Sequence, residues 1–446
     1  MVEYIEEHFM KEDKIVKKGL KGYYLTTFLI GLGFFTMGLM DPLYDTYVPI
    51  FLGRYVDKNF LIGIIMTLDN VLAIFMIPIF SAISDRTKTP IGRRMPYIIT
   101  LLPLTAIFFA LVPFSAMNSL VLLILVIFAL NIFKQAVRGP VVALMPDIVP
   151  ADLRSEANGV INTMGGMATI LGTVLLARLM NVHVKFPWMS EPSDNILAFP
   201  VAALFVIAAV VLLFIFVKEK EIPESAEKEE NAPIIKSLKE IFCEKEKSAL
   251  FILLSLLCWF IAYQGILPYV GKYSLEVLGT SKGTASLAAG MVGIAYAIFA
   301  VPSGKIAHRF GRRRTIRISL IGAAAVLILV GLHGFAAPNV SSKAMLYIFW
   351  VLLFMFGIFW VSIVTNSFPM LWQMADYKTM GIYTGVYYFF SQLASIVSPP
   401  LAGGVSDLWH YPALFFYGAV FMIIAFVLMG HVHRGEPEDE KMEKSL

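Results

Sequence analysis

The sequence predicts an all-α membrane protein of about twelve spanning helices, arranged as two pseudo-symmetric six-helix bundles. Three observations carry this reading. Of 446 residues, 58% are hydrophobic and 15% charged, and the mean hydropathy is +0.74. Soluble domains average about 45–50% apolar and about 25% charged, so a soluble core could not absorb this surplus. About twelve apolar runs reach the ~20 residues that a helix needs to cross a ~30 Å hydrocarbon layer. Finally, two similar basic phrases, SAISDRTKTPIGRRMP (81–96) and SGKIAHRFGRRRT (303–315), each follow a long apolar run, about half a chain apart. Repetition on that scale is the mark of a doubled membrane protein.

The expected spans are roughly 24–50, 61–84, 96–115, 119–138, 157–180, 197–217, 249–270, 284–304, 316–335, 344–371, 381–402 and 411–431. The run from Tyr97 to Phe133 contains no charge. As one helix it would measure ~55 Å, so it must turn, and the turn is expected at Ser115–Ser119. Alternate connections hold 27 of the 36 Lys and Arg residues and the opposite ones hold 7, with Lys134 and Arg138 inside the fourth span. The positive-inside rule then places both termini and the middle loop in the cytoplasm, in an inner membrane, and requires an even number of spans.

The expected organisation is a cytoplasmic tail (1–22), a first bundle (23–217), a linker (218–247), a second bundle (248–431) and a cytoplasmic tail (432–446). The linker holds 16 charged residues and reads as a solvated connector, in which 234–242 has the pattern of a short surface helix. The mixed-sign N-terminal stretch lacks the pattern of a cleavable signal peptide. Cys243 and Cys258 suggest neither a disulfide framework nor a metal site.

Ionisable groups inside a membrane are costly, so each one carries a functional hypothesis. Asp69 falls near the middle of the second span, followed by Asn70. A carboxylate there suits proton carriage or Na+ ligation, the plain alternative being a structural ion pair with Lys134 or Arg138. Asp41 and Asp45 share a face of the first span, framed by Pro42 and Pro49. In the fourth span Asn131, Lys134 and Arg138 share a face beside Gln135, and such a stripe must meet protein or water. Polar candidates in the second half are Tyr263, Gln264, Asn366, Tyr387, Tyr388 and Gln392. Rings and amides together suit a sugar, although most membrane aromatics serve packing.

The phrase Gly304-Lys305-Ile306-Ala307-His308-Arg309-Phe310-Gly311-Arg312-Arg313, and the expanded form built on Asp85, Arg86, Gly92, Arg93 and Arg94, resemble the basic-turn motif of the major facilitator superfamily. The expanded form, with Asp45-Thr46-Tyr47-Val48-Pro49, the segment 138–159 and the segment 383–403, resembles the glycoside–pentoside–hexuronide:cation symporters and their sucrose-type branch. The resemblance spans nearly the whole chain. It implies symport of a sugar or glycoside with H+ or Na+ by alternating access. Asp85, Arg86, Arg93, Arg94, Arg309 and Arg312 would form a conformational gate, in which His308 stands in the place of an aspartate. Plant sucrose transporters carry an aspartate in the fourth span where this chain has Asn131, which moves the expected cation coupling to Asp69 and Asp45. Asn70, Asn131, Lys134, Arg138, Gln264, Asn366, Tyr387 and Gln392 are then the expected substrate contacts.

Expected partners are a small-molecule sugar or glycoside and the bilayer, not nucleic acid; the chain is expected to work as a monomer with no cofactor beyond the coupling ion. There is no phosphate-cradling Gly-x-x-x-x-Gly-Lys loop, and no catalytic cluster that would mark an enzyme. Two rivals remain: an antiporter or exporter of lipids or amphipathic drugs, and a transport-inactive membrane sensor. Gly165-Gly166 without a nearby proline argues against the exporter, and retention of Asp69 and Asp85 argues against the sensor.

Overall fold

A computed structural model describes residues 24–149, 154–187, 196–219, 246–337, 342–374 and 380–435. Among these the protein is helical, with thirteen α-helices: α1 Tyr24–Leu52, α2 Asn59–Met66, α3 Leu68–Arg86, α4 Met95–Asn118, α5 Leu120–Ile148, α6 Arg154–Ile170, α7 Ala198–Phe216, α8 Ser248–Glu276, α9 Lys282–Phe310, α10 Arg312–Ala336, α11 Ser342–Trp372, α12 Met380–Trp409 and α13 Ala413–Met429. Among the described residues, ten helical segments are long and apolar enough to cross a membrane, α2 and α3 counting as one. α13 is apolar but shorter, and α12 is diluted by Ser391, Gln392, Ser395, Ser398, Pro399 and Pro400. The chain is an all-α membrane protein. Residues 220–245 of the linker, with its surface-helix segment, the N-terminal tail and residues 436–446 lie outside the described residues.

Local chemistry explains the breaks. The charge-free run turns at Ser119, whose extended backbone ends α4 and whose hydroxyl accepts from Leu122 N at 3.2 Å, capping α5. The second span loosens at Thr67, whose hydroxyl bonds back to Ile64 O at 2.8 Å, while helical backbone bonds run through it, Thr67 N to Gly63 O and Val71 N to Thr67 O, both at 3.0 Å. The fifth loosens after α6 into a π-turn (Leu171–Leu175) and a 3-10 turn (Leu176–Asn181). Both basic turns pivot on a glycine of positive φ, Gly92 at 104° and Gly311 at 90°. Side chains rarely adopt that backbone, which explains why each Arg pair follows a glycine.

The chain groups into two compact units. Of the described residues, the first comprises 24–41, 72–149, 154–176 and 196–219, and the second 42–71, 177–187, 246–337, 342–374 and 380–435. This differs from a plain division at the linker, because the later part of α1, all of α2 and the end of the fifth span pack with the second half. In the first unit α1 meets α6 where glycines remove the side chains: a Cβ on Gly38 would strike the backbone of Gly165. Phe109 packs on Phe199 with ring centroids 4.7 Å apart, above a core that includes Ile98, Leu102, Val141 and Leu213. In the second unit Trp259, Tyr273, Phe349 and Phe415 are fully buried at the centre of the core. Large apolar side chains such as Val121 (68% exposed) and Leu204 (66%) face outward. That surface suits lipid and would be an aggregation liability in water.

Candidate functional site

Four groupings of polar side chains lie within the two units, and sequence reasoning had reached three of them in part. The first, in unit one, gathers around the first basic turn. Arg93 grips Asp147 with two bonds, Nε to Oδ2 at 2.9 Å and Nη2 to Oδ1 at 2.7 Å. The bonds to Asp147 hold the Arg93 pKa above its ordinary value, against the opposing effect of burial. Arg94 is 4% exposed and donates to Asp147 at 3.0 Å, to Ser84 Oγ at 2.5 Å and to Asp85. Glu219, just past α7, accepts from the backbone N–H of Arg94 at 2.8 Å and of Met95 at 3.2 Å, which caps α4. Gly92 lets Glu219 approach, since a Cβ there would overlap its carboxylate. Of the residues expected here, Asp85, Arg93 and Arg94 come together and Arg86 is exposed. Asp147 and Glu219 were missed. Their signal was an acid at each of two helix ends close to the basic turn.

The second basic turn is organised differently. Lys305, His308 and Arg309 are exposed, and the Arg309 guanidinium lies 5.4 Å from the ring centroid of Phe310. Among the described residues, no acid forms an ion pair with Arg309 within 4.0 Å. His308 stands where Asp85 stands in the first turn.

The second grouping is the polar stripe of α5. Asn131, Lys134 and Gln135 are buried, and Arg138 is half-buried. Lys134 Nζ lies 2.6 Å from Asp41 Oδ1. Sequence reasoning ranked Asp45 above Asp41 and offered Lys134 to Asp69; the structure pairs Lys134 with Asp41. Gln135 Oε1 is buried without a hydrogen-bond donor among the described residues.

The third, in unit two, joins α8, α11 and α12. Tyr263 lies parallel on Trp360, with centroids 4.1 Å apart and planes 7° apart, and Phe356 continues the stack. Phe260 and Tyr387 meet Trp360 and Phe368 edge-on. Next to Tyr263 in sequence, Gln264 donates to Ser395 Oγ at 2.8 Å. One turn before Ser395, the Gln392 Oε1 is buried with no donor among the described residues. Asn366 is spent locally, donating to Ser303 Oγ and to Ser362 O. Asp45 lies close enough to Tyr263 to act on it electrostatically. Asp69 lies in the first turn of α3, two residues past Thr67, and its Oδ1 accepts from both the backbone N–H and the side-chain amide of Asn70.

The fourth grouping had no sequence signal that pattern reading could use. Asp407, near the end of α12, accepts from Asn59 N at 2.8 Å and Phe60 N at 2.9 Å, capping α2 with a carboxylate. Lys272 Nζ donates to Asn59 Oδ1 at 2.6 Å. The Tyr411 hydroxyl lies 3.2 Å from both Asn59 Oδ1 and Glu276 Oε1. The Tyr269 hydroxyl donates to Asn59 O at 2.8 Å. Gly63 lets α2 lie on the α12 backbone, because a Cβ there would come within 2.6 Å of Pro399 C. Asn181 and Tyr47 make further bonds at the start of α9, to Gly283 N and Lys282 O.

Among the described residues there is no cluster of metal-ligating side chains. The family model described as Major Facilitator Superfamily matches residues 23–371 and 274–445. A curated relative from Bacillus subtilis (strain 168), the uncharacterized MFS-type transporter YfmI, is 22% identical over 328 residues, covering 72% of this chain and 75% of the relative. Among solved structures, a bacterial homologue of the human lysosomal transporter Spinster aligns with a TM-score of 0.71 at 12% identity, covering 91% of this chain and 96% of the other. The nucleoside transporter NupG (D323A mutant) aligns at 0.68 and 11%, covering 91% and 100%. A D-xylose–proton symporter aligns at 0.66 and 15%, covering 92% and 98%. At these identities the structural likeness speaks to the fold.

Proposed function

Because this chain belongs to the Major Facilitator Superfamily, and is thus a membrane transporter of small molecules and not an enzyme, we propose that it is a secondary active symporter of the sucrose-type branch, moving a sugar or glycoside with H+ or Na+. The observation that carries the substrate class is the wall on α8, α11 and α12. Stacked rings offer flat faces to the apolar side of a sugar, and carboxamides offer partners to its hydroxyls. Gln392 and Gln135 each keep a buried oxygen without a donor, and buried acceptors of that kind call for one. A polyol supplies donors in numbers that a lipid or an amphipathic drug does not. Gln264, Tyr387 and Gln392 are the contacts we assign to the second half, and Asn131, Lys134 and Arg138 to the first. Asn366 belongs to packing as much as to binding.

Coupling is assigned to Asp69 and Asp45. Asp69 lies ~15 Å along the span that starts at Asn59, which is half of a ~30 Å core. An ionisable group at that depth is costly unless it has a task, and Asn70 beside it offers a further oxygen to a bound cation. The Asp41–Lys134 pair supplies a second protonation-sensitive element: neutralising Asp41 would free Lys134 for a substrate hydroxyl. Gradient-driven uptake into proteoliposomes, with labelled sucrose, maltose and a nucleoside in parallel, tests the proposal. Accumulation of a sugar under a pH or Na+ gradient, lost in Asp69→Asn while exchange survives, supports it. Accumulation of the nucleoside alone, or of neither class, overturns the sugar assignment.

A further inference from the structure

The start of α10 carries a charge pattern opposite to what a helix prefers. Arg312, Arg313, Arg314 and Arg317 crowd its first turns, where the positive end of the helix dipole favours acids. Retention of this end on one side of the membrane would need positive charge, but it would not need a shaped pocket. One is present: a cavity of about 350 Å³ lined by Arg313, Arg314, Arg317, Ile318, Ile321 and Phe426. No acid is among these residues.

The pocket is built. The Arg313 Nη2 donates to Gly430 O at 2.6 Å, where α13 ends and carbonyls are left over. The Arg317 guanidinium lies over the ring of Phe426 at 4.7 Å, which fixes its plane. Its Nε is buried and has no acceptor among the described residues. Arg314 is exposed at the mouth. A phosphate would give Arg317 its missing acceptor and relieve the repulsion among the arginines, and the planar fork of a guanidinium can bind two of its oxygens at once. The lower wall is apolar and faces outward: Ile318 is 58% exposed, Ile321 51% and, along α13, Ile423 47%. Free phosphate has no use for such a wall, whereas an acyl chain does.

We propose that this pocket binds the phosphate of an anionic phospholipid, with an acyl chain lying along Ile318 and Ile321. The site is separate from the substrate wall, and the proposal does not depend on the sugar assignment. The test is native mass spectrometry of the full chain in detergent, titrated with phosphatidylglycerol, phosphatidylcholine or inorganic phosphate. Wild type should carry one phosphatidylglycerol beyond its non-specific adducts, with no equivalent step for phosphatidylcholine. Arg314→Gln with Arg317→Gln should lower that occupancy at least tenfold, while Lys343→Gln, on an exposed residue far along the sequence, leaves it unchanged. Arg314→Gln alone changes only an exposed side chain, and is expected to lower occupancy severalfold should the double variant not fold. Equal phosphatidylglycerol occupancy in wild type and in whichever of these variants folds overturns the proposal. So does its displacement by inorganic phosphate at equal concentration, which would mark a free-anion site.

Discussion

Removing the carboxylate of Asp407 should release α2 from the second unit. Asp407 accepts two backbone hydrogen bonds, at 2.8 and 2.9 Å, from the first two residues of α2. Bonds to charged groups contribute about 1.5–3 kcal/mol when shielded, and an exposed cap about 0.5–2 kcal/mol. Asp407 is solvent-exposed, so the low end applies, about 1 kcal/mol per bond and about 2 kcal/mol for the pair. At 1.4 kcal/mol per tenfold, Asp407→Ala should raise the undocked population about thirtyfold. Asp407→Asn keeps one acceptor oxygen and loses the charge, and should raise it about fivefold, for about 1 kcal/mol lost. The reporter is a cysteine replacing Ile62, which is fully buried in α2, in a chain whose Cys243 and Cys258 are serine. The rate of labelling by a membrane-impermeant maleimide reads the undocked fraction. A rate within twofold of the parent for both variants would refute the reasoning, because it would mean that the cap forms and breaks without free-energy consequence.

Other expectations follow from the same geometry. Asp147→Asn strips the shared carboxylate from Arg93 and from the 4%-exposed Arg94. Arg94 keeps Asp85 and Ser84, so the loss is that of hydrogen bonds to a charged group, about 1.5–3 kcal/mol; melting in detergent should fall by a few degrees, and Arg94→Met added to it should recover part of the loss. Gly92→Ala meets both a positive φ and the Glu219 carboxylate. It should lower the melting temperature more than Gly304→Ala, whose Cβ meets open space. Asp41→Asn should impair transport, and Asp41→Asn with Lys134→Met should retain a better-folded protein than Asp41→Asn alone, as thermal melts would show, since Lys134 is the buried side of the pair and its charge loses the Asp41 carboxylate. Gly63→Val should block docking of α2 on Pro399 and raise the Ile62 reporter rate as Asp407→Ala does.

Much of the fold was legible because hydropathy reports directly on the lipid-facing windows. The turn expected between Ser115 and Ser119 falls at Ser119, where a serine cap meets a helix that could not grow longer. Helix lengths were less legible. α5 continues to Ile148, ten residues beyond the apolar window that ended at Arg138, since helices extend past the hydrocarbon into protein and headgroups. The loosening at Thr67 was invisible, because no Gly or Pro marks it. At the sites, sequence reasoning found the groups that look costly in a membrane: Asp69, Asp41, Lys134 and the basic turns. It could not choose partners among them. Asp147, Glu219 and Asp407 escaped because an acid at a helix end is ordinary, and only the approach of another helix's N-terminus gives it a task.

The loosening at Thr67 leaves α2 as an eight-residue rod between two fixed ends. Its far end is held by Asp407, Lys272 and Tyr269, and its near end adjoins the turn that carries Asp69. An ion taken up by Asp69 and the docking of α2 therefore draw on the same few backbone torsions. By reciprocity, any factor by which docking tightens the ion is the factor by which the ion tightens docking. On the coupling role proposed for Asp69, ion affinity measured in Asp407→Ala would thus report, from a carboxylate at the opposite end of the rod, how strongly the ion and the docking of α2 are tied together.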